Sequence, residues 1–291
     1  MLAKIILITL LQITLALNDF KIQRKRLPDA ILIGAKKSGT RALLTFISTH
    51  PNVSAADSEI HFFDKYYHLG LDWYKSQMPY SNDNQIVIEK TPKYLVDPKV
   101  PQRVFQMNKN IKLIVILRNP VTRAISEFVQ SQHRQKRNIN NVNEQSKRFV
   151  RMLYESKNQN FTIRKNWNII KNGLYVNHIK NWMEYFPLES FVFINGDNLI
   201  QNPHDELEKL QKFLGLKPII KKENFVLTNQ KKGFPCIRLD SQNEEVKCLS
   251  DQKGRQHPKI PDNVIKQLQD FYRPYNNELF ELIKQEPFWT V

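Results

Sequence analysis

The sequence predicts an α/β fold: a P-loop-like three-layer sandwich with a central, mostly parallel sheet flanked by helices. Three observations carry this expectation. Short, continuously apolar runs rich in Ile and Val recur along the chain, the mark of strands buried on both faces. Segments with helical spacing follow several of them, and strands alternating with helices build parallel sheets by crossover. A loop closed by a glycine joins the first strand to the first helix.

The elements follow in order. Pro28-Asp29 leads into Ala30-Ile31-Leu32-Ile33, a buried parallel strand. Residues 34–39 form a loop, and 40 to about 48 place Leu43, Leu44 and Ile47 at helical spacing. Further strands are expected at Ile86-Val87-Ile88-Glu89, Leu113-Ile114-Val115-Ile116-Leu117 and Phe191-Val192-Phe193-Ile194. Helices are expected over 121 to about 135, 203 to 214, and 262 to about 284. Residues 136–165 are polar and rich in Asn and Lys, and read either as a long loop or as an irregular helix. No internal repeat is visible, nor a domain boundary after residue 27.

The length of 291 residues allows one large α/β domain or two small ones, and 41% hydrophobic residues suffice for a sizeable core. Only 8 glycines and 15 prolines exclude collagen-like and low-complexity classes. The net charge of +16 points to a polyanionic partner: nucleic acid, an anionic membrane or a sulfated polysaccharide. A basic protein kept soluble by its charge is the plainer reading.

Residues 1–20 hold Lys4 and then an apolar stretch through Leu17, shorter than the roughly 20 residues of a comfortable span. They read as a signal peptide with small residues near Ala16, or as a short signal anchor. Residues 21–27 then form a basic stem, and 28–291 the folded domain. Asn52-Val53-Ser54 and Asn160-Phe161-Thr162 are glycosylation sequons. The two cysteines, Cys236 and Cys248, would close a small loop as a disulfide in an oxidising compartment, or stay as two buried thiols. No Cys-x-x-Cys or His cluster accompanies them, so neither a metal site nor thiol catalysis is expected.

The loop Gly34-Ala35-Lys36-Lys37-Ser38-Gly39-Thr40-Arg41 between strand and helix is an anion cradle, with backbone N–H groups and the helix N-terminus facing the ligand. A nucleoside-triphosphate loop needs Lys and then Ser or Thr after the second glycine. Thr40 and Arg41 stand there instead, so both the lysine for the terminal phosphates and the hydroxyl for magnesium are missing. A second anion element is Arg118-Asn119-Pro120, at the carboxyl end of the third predicted strand, where such sheets bind ligands. Ser126 follows two helical turns on, and an Arg with a Ser suits a second phosphate.

This pairing resembles the donor site of sulfotransferases that use 3′-phosphoadenylyl sulfate (PAPS). Glu59-Ile60-His61-Phe62-Phe63-Asp64, then Glu89-Lys90-Thr91-Pro92-Lys93-Tyr94, then Lys253-Gly254-Arg255-Gln256-His257-Pro258 resemble the heparan sulfate glucosamine 3-O-sulfotransferases. The resemblance runs from about residue 28 to the C-terminus. It implies that Lys37, Ser38, Gly39, Thr40 and Arg41 bind the 5′-phosphosulfate, and Arg118 with Ser126 the 3′-phosphate. Lys253, Gly254, Arg255, Gln256 and His257 would close over the donor. Glu59 matches the catalytic base, with His61 and Asp64 beside it, and Lys90 an active-site lysine. Gln130 and Trp167 match saccharide-contacting positions, and Cys236 and Cys248 the family's disulfide. Lys65, Lys93, Arg134, Lys136 and Arg137 could line a basic cleft. Three positions depart from the pattern: Ser38 for glycine, Lys93 for a small residue and Phe128 for tyrosine. The last two bear on acceptor preference.

The expected activity is therefore PAPS-dependent 3-O-sulfation of glucosamine in heparan sulfate. Expected with it are the Golgi lumen or secretion, no nucleic acid, membrane contact only through an N-terminal anchor, no metal, and a monomer. The rivals are an N- or 6-O-sulfotransferase and an inactive heparin-binding homologue. A nucleotide kinase is opposed by Thr40 and Arg41.

Overall fold

The computed structural model describes residues 23–135, 142–157, 160–226, 235–238, 246–249 and 257–290. Five strands form the central sheet: β1 (Ala30–Gly34), β2 (Val53–Ala55), β3 (Ile86–Lys90), β4 (Lys112–Leu117) and β5 (Phe191–Asn195). Their order is β2-β3-β1-β4-β5, and every pairing is parallel. The four expected strands are all present, each one residue longer than expected. The fifth, β2, is a three-residue edge strand.

Among the described residues the helices of eight or more residues are α1 (Thr40–Ile47), α2 (Val100–Met107), α3 (Pro120–Arg134), α4 (Val142–Leu153), α5 (Tyr175–Met183), α6 (Pro203–Leu214) and α7 (Asp262–Ile283). Period-two alternation divides the sheet into two faces. Ile31, Ile33, Val87, Leu113, Val115, Phe191 and Phe193 pack with Val100 and Val104 of α2 and Val176 and Ile179 of α5. Ala30, Leu32, Ile88, Ile114, Ile116, Val192 and Ile194 pack with Leu43 and Ile47 of α1 and Leu207 and Leu210 of α6. Each of these large aliphatic side chains contributes about 1.5–3 kcal/mol by leaving water, which is why runs of Ile, Val and Leu end up between two helical layers.

Where the sequence suggested a long loop or an irregular helix over 136–165, the described residues carry α4 and an antiparallel pairing of Tyr154–Lys157 with Asn160–Ile163. Phe149 and Leu153, one turn apart on α4, bury against Phe128 and Val129 of α3. Cys236 and Cys248 form a disulfide. Asn52 is exposed, whereas the side chain of Asn160 lies outside the described residues.

Candidate functional site

A parallel sheet points all its carboxyl ends the same way, and here the segments leaving all five strands line one cavity of about 940 Å³. Residues 35–42 follow β1, Glu59 and His61 follow β2, Lys90 ends β3, Arg118 follows β4 and Gly196 follows β5. From β1 the chain runs to the edge strand β2, returns through β3 beside β1, and then crosses to β4 and β5 on the other side of β1; ligands bind where the strand order reverses in this way.

The anion loop is shaped by two glycines. Gly39, at the N-cap of α1, has φ of 111°, which side chains disfavour. Gly196 is required by proximity: a Cβ there would stand 2.3 Å from the Ser38 carbonyl oxygen and 2.8 Å from that of Leu117. Gly196→Ala is therefore expected to displace the loop and cost about 1–3 kcal/mol of stability, measured as a lower Tm by calorimetry. The first turn of α1 carries no acidic residue, so its N-terminal N–H groups face the cavity without a competing carboxylate.

Arg118 and Ser126 are set by the start of α3. The Asn119 side chain accepts hydrogen bonds from the N–H groups of Val121 (3.0 Å) and Thr122 (3.5 Å), and Pro120 occupies the first turn. Arg118 Nε donates to Asp197 Oδ1 at 3.0 Å, which fixes its guanidinium at the cavity wall. His257 arrives from the far end of the chain. Burial pushes its imidazole below the ordinary range, and the charges of Arg118 and Lys37 push it further. Lys253, Gly254, Arg255 and Gln256 lie outside the described residues.

The opposite wall is a chain of charged groups. Lys90 Nζ donates to Glu59 Oε1 at 2.6 Å. Glu59 Oε2 lies 3.6 Å from His61 Nε2, and His61 Nδ1 stands 3.0 Å from both oxygens of Asp64. Burial pushes the Glu59 carboxyl up, but Lys90, then His61 and Arg41, outweigh it and leave Glu59 below its ordinary value. Burial likewise pulls Lys90 down against the pull of Glu59. Asp64 does not line the cavity; its covered carboxylate stands behind His61, 3.6 Å from Lys93 Nζ.

Lys65, Lys93, Gln130 and Arg134 line the cavity. Trp167 does not; its ring packs against Phe128 and Phe149. Phe128 is itself fully buried, away from the cavity. Lys136 and Arg137 lie outside the described residues.

The sequence reading missed a third wall. Glu127 accepts from Lys36 Nζ at 2.7 Å and from Arg123 at 2.5 Å, and all three face the cavity with Lys171 and Asn172. Burial raises the Glu127 carboxyl, and Arg123 and Lys36 bring it below the ordinary range. The i,i+4 spacing of Arg123 and Glu127 on α3 was the available signal. Arg123 is fully buried, so Arg123→Met leaves Glu127 short of its main partner. The expected loss is about 3–5 kcal/mol, measured by denaturant unfolding.

The arrangement can hold two anionic groups, along the loop and at Arg118, and presents a carboxylate ionised at neutral pH beside them. Comparisons with known proteins give the family. The family model described as "Sulfotransferase domain" matches residues 27–285. The chain is 42% identical over 270 residues to mouse heparan sulfate glucosamine 3-O-sulfotransferase 3A1, covering 91% of this chain and 65% of that relative's length. It is 40% identical over 266 residues to human heparan sulfate glucosamine 3-O-sulfotransferase 6, covering 91% of this chain and 75% of that one. Among solved structures, a sulfotransferase from Alicyclobacillus acidocaldarius has the same fold, with a TM-score of 0.61 at 20% identity, over 90% of this chain and 97% of that one.

Proposed function

The chain belongs to the sulfotransferase family, and from that premise we propose that it transfers a sulfuryl group from PAPS to the 3-hydroxyl of glucosamine residues in heparan sulfate. The observation that carries this reading is that the anion loop and the Glu59–Lys90 pair open into one cavity.

When bound, PAPS supplies an activated sulfuryl group on a phosphate leaving group. Lys37, Ser38, Gly39, Thr40 and Arg41 are proposed to hold its 5′-phosphosulfate, Arg118 and Ser126 its 3′-phosphate, and residues 253–257 to close over it. The fit rests on the carboxylate-free N-terminus of α1 and on the guanidinium fork that Asp197 orients.

A sugar hydroxyl is a poor nucleophile at neutral pH, so its proton must be accepted as it attacks. Glu59 is proposed to accept that proton on a carboxylate oxygen. Lys90 keeps Glu59 ionised, and Asp64 holds His61 through Nδ1 so that Nε2 faces Glu59. Lys90 and Lys37 are proposed to stabilise the charge that builds on the transferring and leaving oxygens. Lys65, Lys93 and Gln130 are the proposed saccharide contacts, and the net charge of +16 draws a polyanionic chain to the cleft. Thr40 and Arg41, in place of the magnesium-binding pattern, support a transfer without metal. A secretory-pathway site, the Golgi lumen or beyond, is supported by the disulfide and by exposed Asn52 in its sequon.

Incubating the purified protein with labelled PAPS and heparan sulfate, with and without a chelator, tests this. Label on the glucosamine 3-hydroxyl in both arms is expected. Label on nitrogen or the 6-hydroxyl overturns the acceptor assignment, and loss with chelator overturns the metal-free transfer.

A further inference from the structure

One buried carboxyl has no part in the transfer described above. Glu89 sits on β3 between Ile88 and Lys90, and strand alternation turns it away from the cavity that Lys90 faces. It is fully buried, in contact with Tyr74 and within the electrostatic reach of Tyr94. Its oxygens are nonetheless occupied. Thr91 Oγ1 donates to Oε1 at 2.5 Å, the Tyr74 hydroxyl donates to Oε2 at 3.3 Å, and the Ile60 N–H donates as well. Thr91 Oγ1 in turn accepts from the His61 N–H at 3.3 Å.

Two successive amides, Ile60 and His61, are thus tied to Glu89, one directly and one through Thr91. They are the amides that follow the Glu59 side chain and carry the His61 ring. The tie has a reason. His61 has φ of 56°, a left-handed conformation that a residue with a side chain keeps only when its surroundings hold it. We infer that Glu89 is a positioning residue, which fastens the loop bearing Glu59 and His61 to the end of the strand bearing Lys90. The inference rests on the proposed function for its catalytic consequence alone. Burial pushes the Glu89 carboxyl up to about 7, against the hydrogen bonds from Thr91, Ile60 and Tyr74 and the charge of Lys90. A carboxyl kept at that cost fits a structural duty that an apolar residue could not perform.

Amide hydrogen exchange reads the tie without reference to turnover. In Glu89→Ala, exchange at Ile60 and His61 is expected to quicken by about tenfold, the worth of one hydrogen bond. In Thr91→Val, which keeps Glu89, only His61 is expected to quicken, and this variant decides the matter if Glu89→Ala does not fold. Turnover of Glu89→Ala on heparan sulfate is expected to fall by up to about a hundredfold, as for a small misplacement of reacting groups, with the donor KM little changed. Glu89→Gln, which keeps an accepting oxygen, is expected to recover most of it. Unchanged exchange at both amides overturns the inference, as does a Glu89→Gln variant as impaired as Glu89→Ala. A wild-type protein that transfers no sulfate overturns the functional reading instead and leaves the exchange result to decide this one.

Discussion

Glu59→Gln is expected to lower turnover by about 10²–10⁴-fold, the usual worth of a positioned general base, while the affinity for the donor stays nearly unchanged. Glutamine preserves the shape and can still accept from Lys90, so the fold should survive. It removes the one carboxylate that faces the cavity beside Lys90 and His61. Single-turnover transfer from labelled PAPS, together with donor binding by calorimetry, separates the two effects. Turnover that survives in a variant with normal donor affinity would remove Glu59 from the proton-accepting role.

Lys90→Ala is expected to lower turnover by about 10²–10³-fold, as for loss of one preorganised charge at a transition state, and to change its pH dependence in a stated direction. Glu59 lies below its ordinary value because Lys90 outweighs the effect of burial. Without Lys90, burial acts with less opposition and the Glu59 carboxyl rises. A base works only when ionised, so the acid limb of kcat/KM should move to higher pH. Lys90→Arg keeps the charge but not the compact ammonium, and should fall between the two. An acid limb that stays in place in Lys90→Ala would show that some other group sets it.

Much of this architecture could be read from the residues because the physics behind it is local. β1, β4 and β5 are almost wholly apolar and β3 opens with the apolar run Ile86-Val87-Ile88, and burial on both faces demands that pattern. Asn119-Pro120 announces the start of α3 through a cap and a pre-set φ. The anion loop shows itself through Gly39 and the lysines before it. What stayed hidden depends on partners far away in sequence. β2 is Val-Ser-Ala, too short to show alternation, and exists because β3 is beside it. α4 is mostly polar through its first half and places the apolar residues that pack against α3 only from Phe149 to Leu153, so the polar composition of the segment hid a helix with one apolar face. Gly196 is an ordinary glycine until the fold brings it against Ser38. Glu59 is the sharpest case. Nothing around it distinguishes it from a solvated loop carboxylate, and its assignment rested on resemblance alone. The contact with Lys90 spans 31 residues, which no local pattern encodes.

The central place of β1 also governs the order in which the molecule can be assembled. Ala30–Gly34 is made early, yet its two neighbours are Ile86–Lys90 and Lys112–Leu117. A chain emerging from synthesis must carry the strand before its anion loop unpaired until Lys90 has been added, and open on its second side until Leu117 follows; β5 closes the far side later still. Pairings this distant fold slowly, because loop closure is paid before the contacts repay it. Fragments that stop short of Leu117 should therefore bind no nucleotide, although they already contain the whole glycine-closed loop.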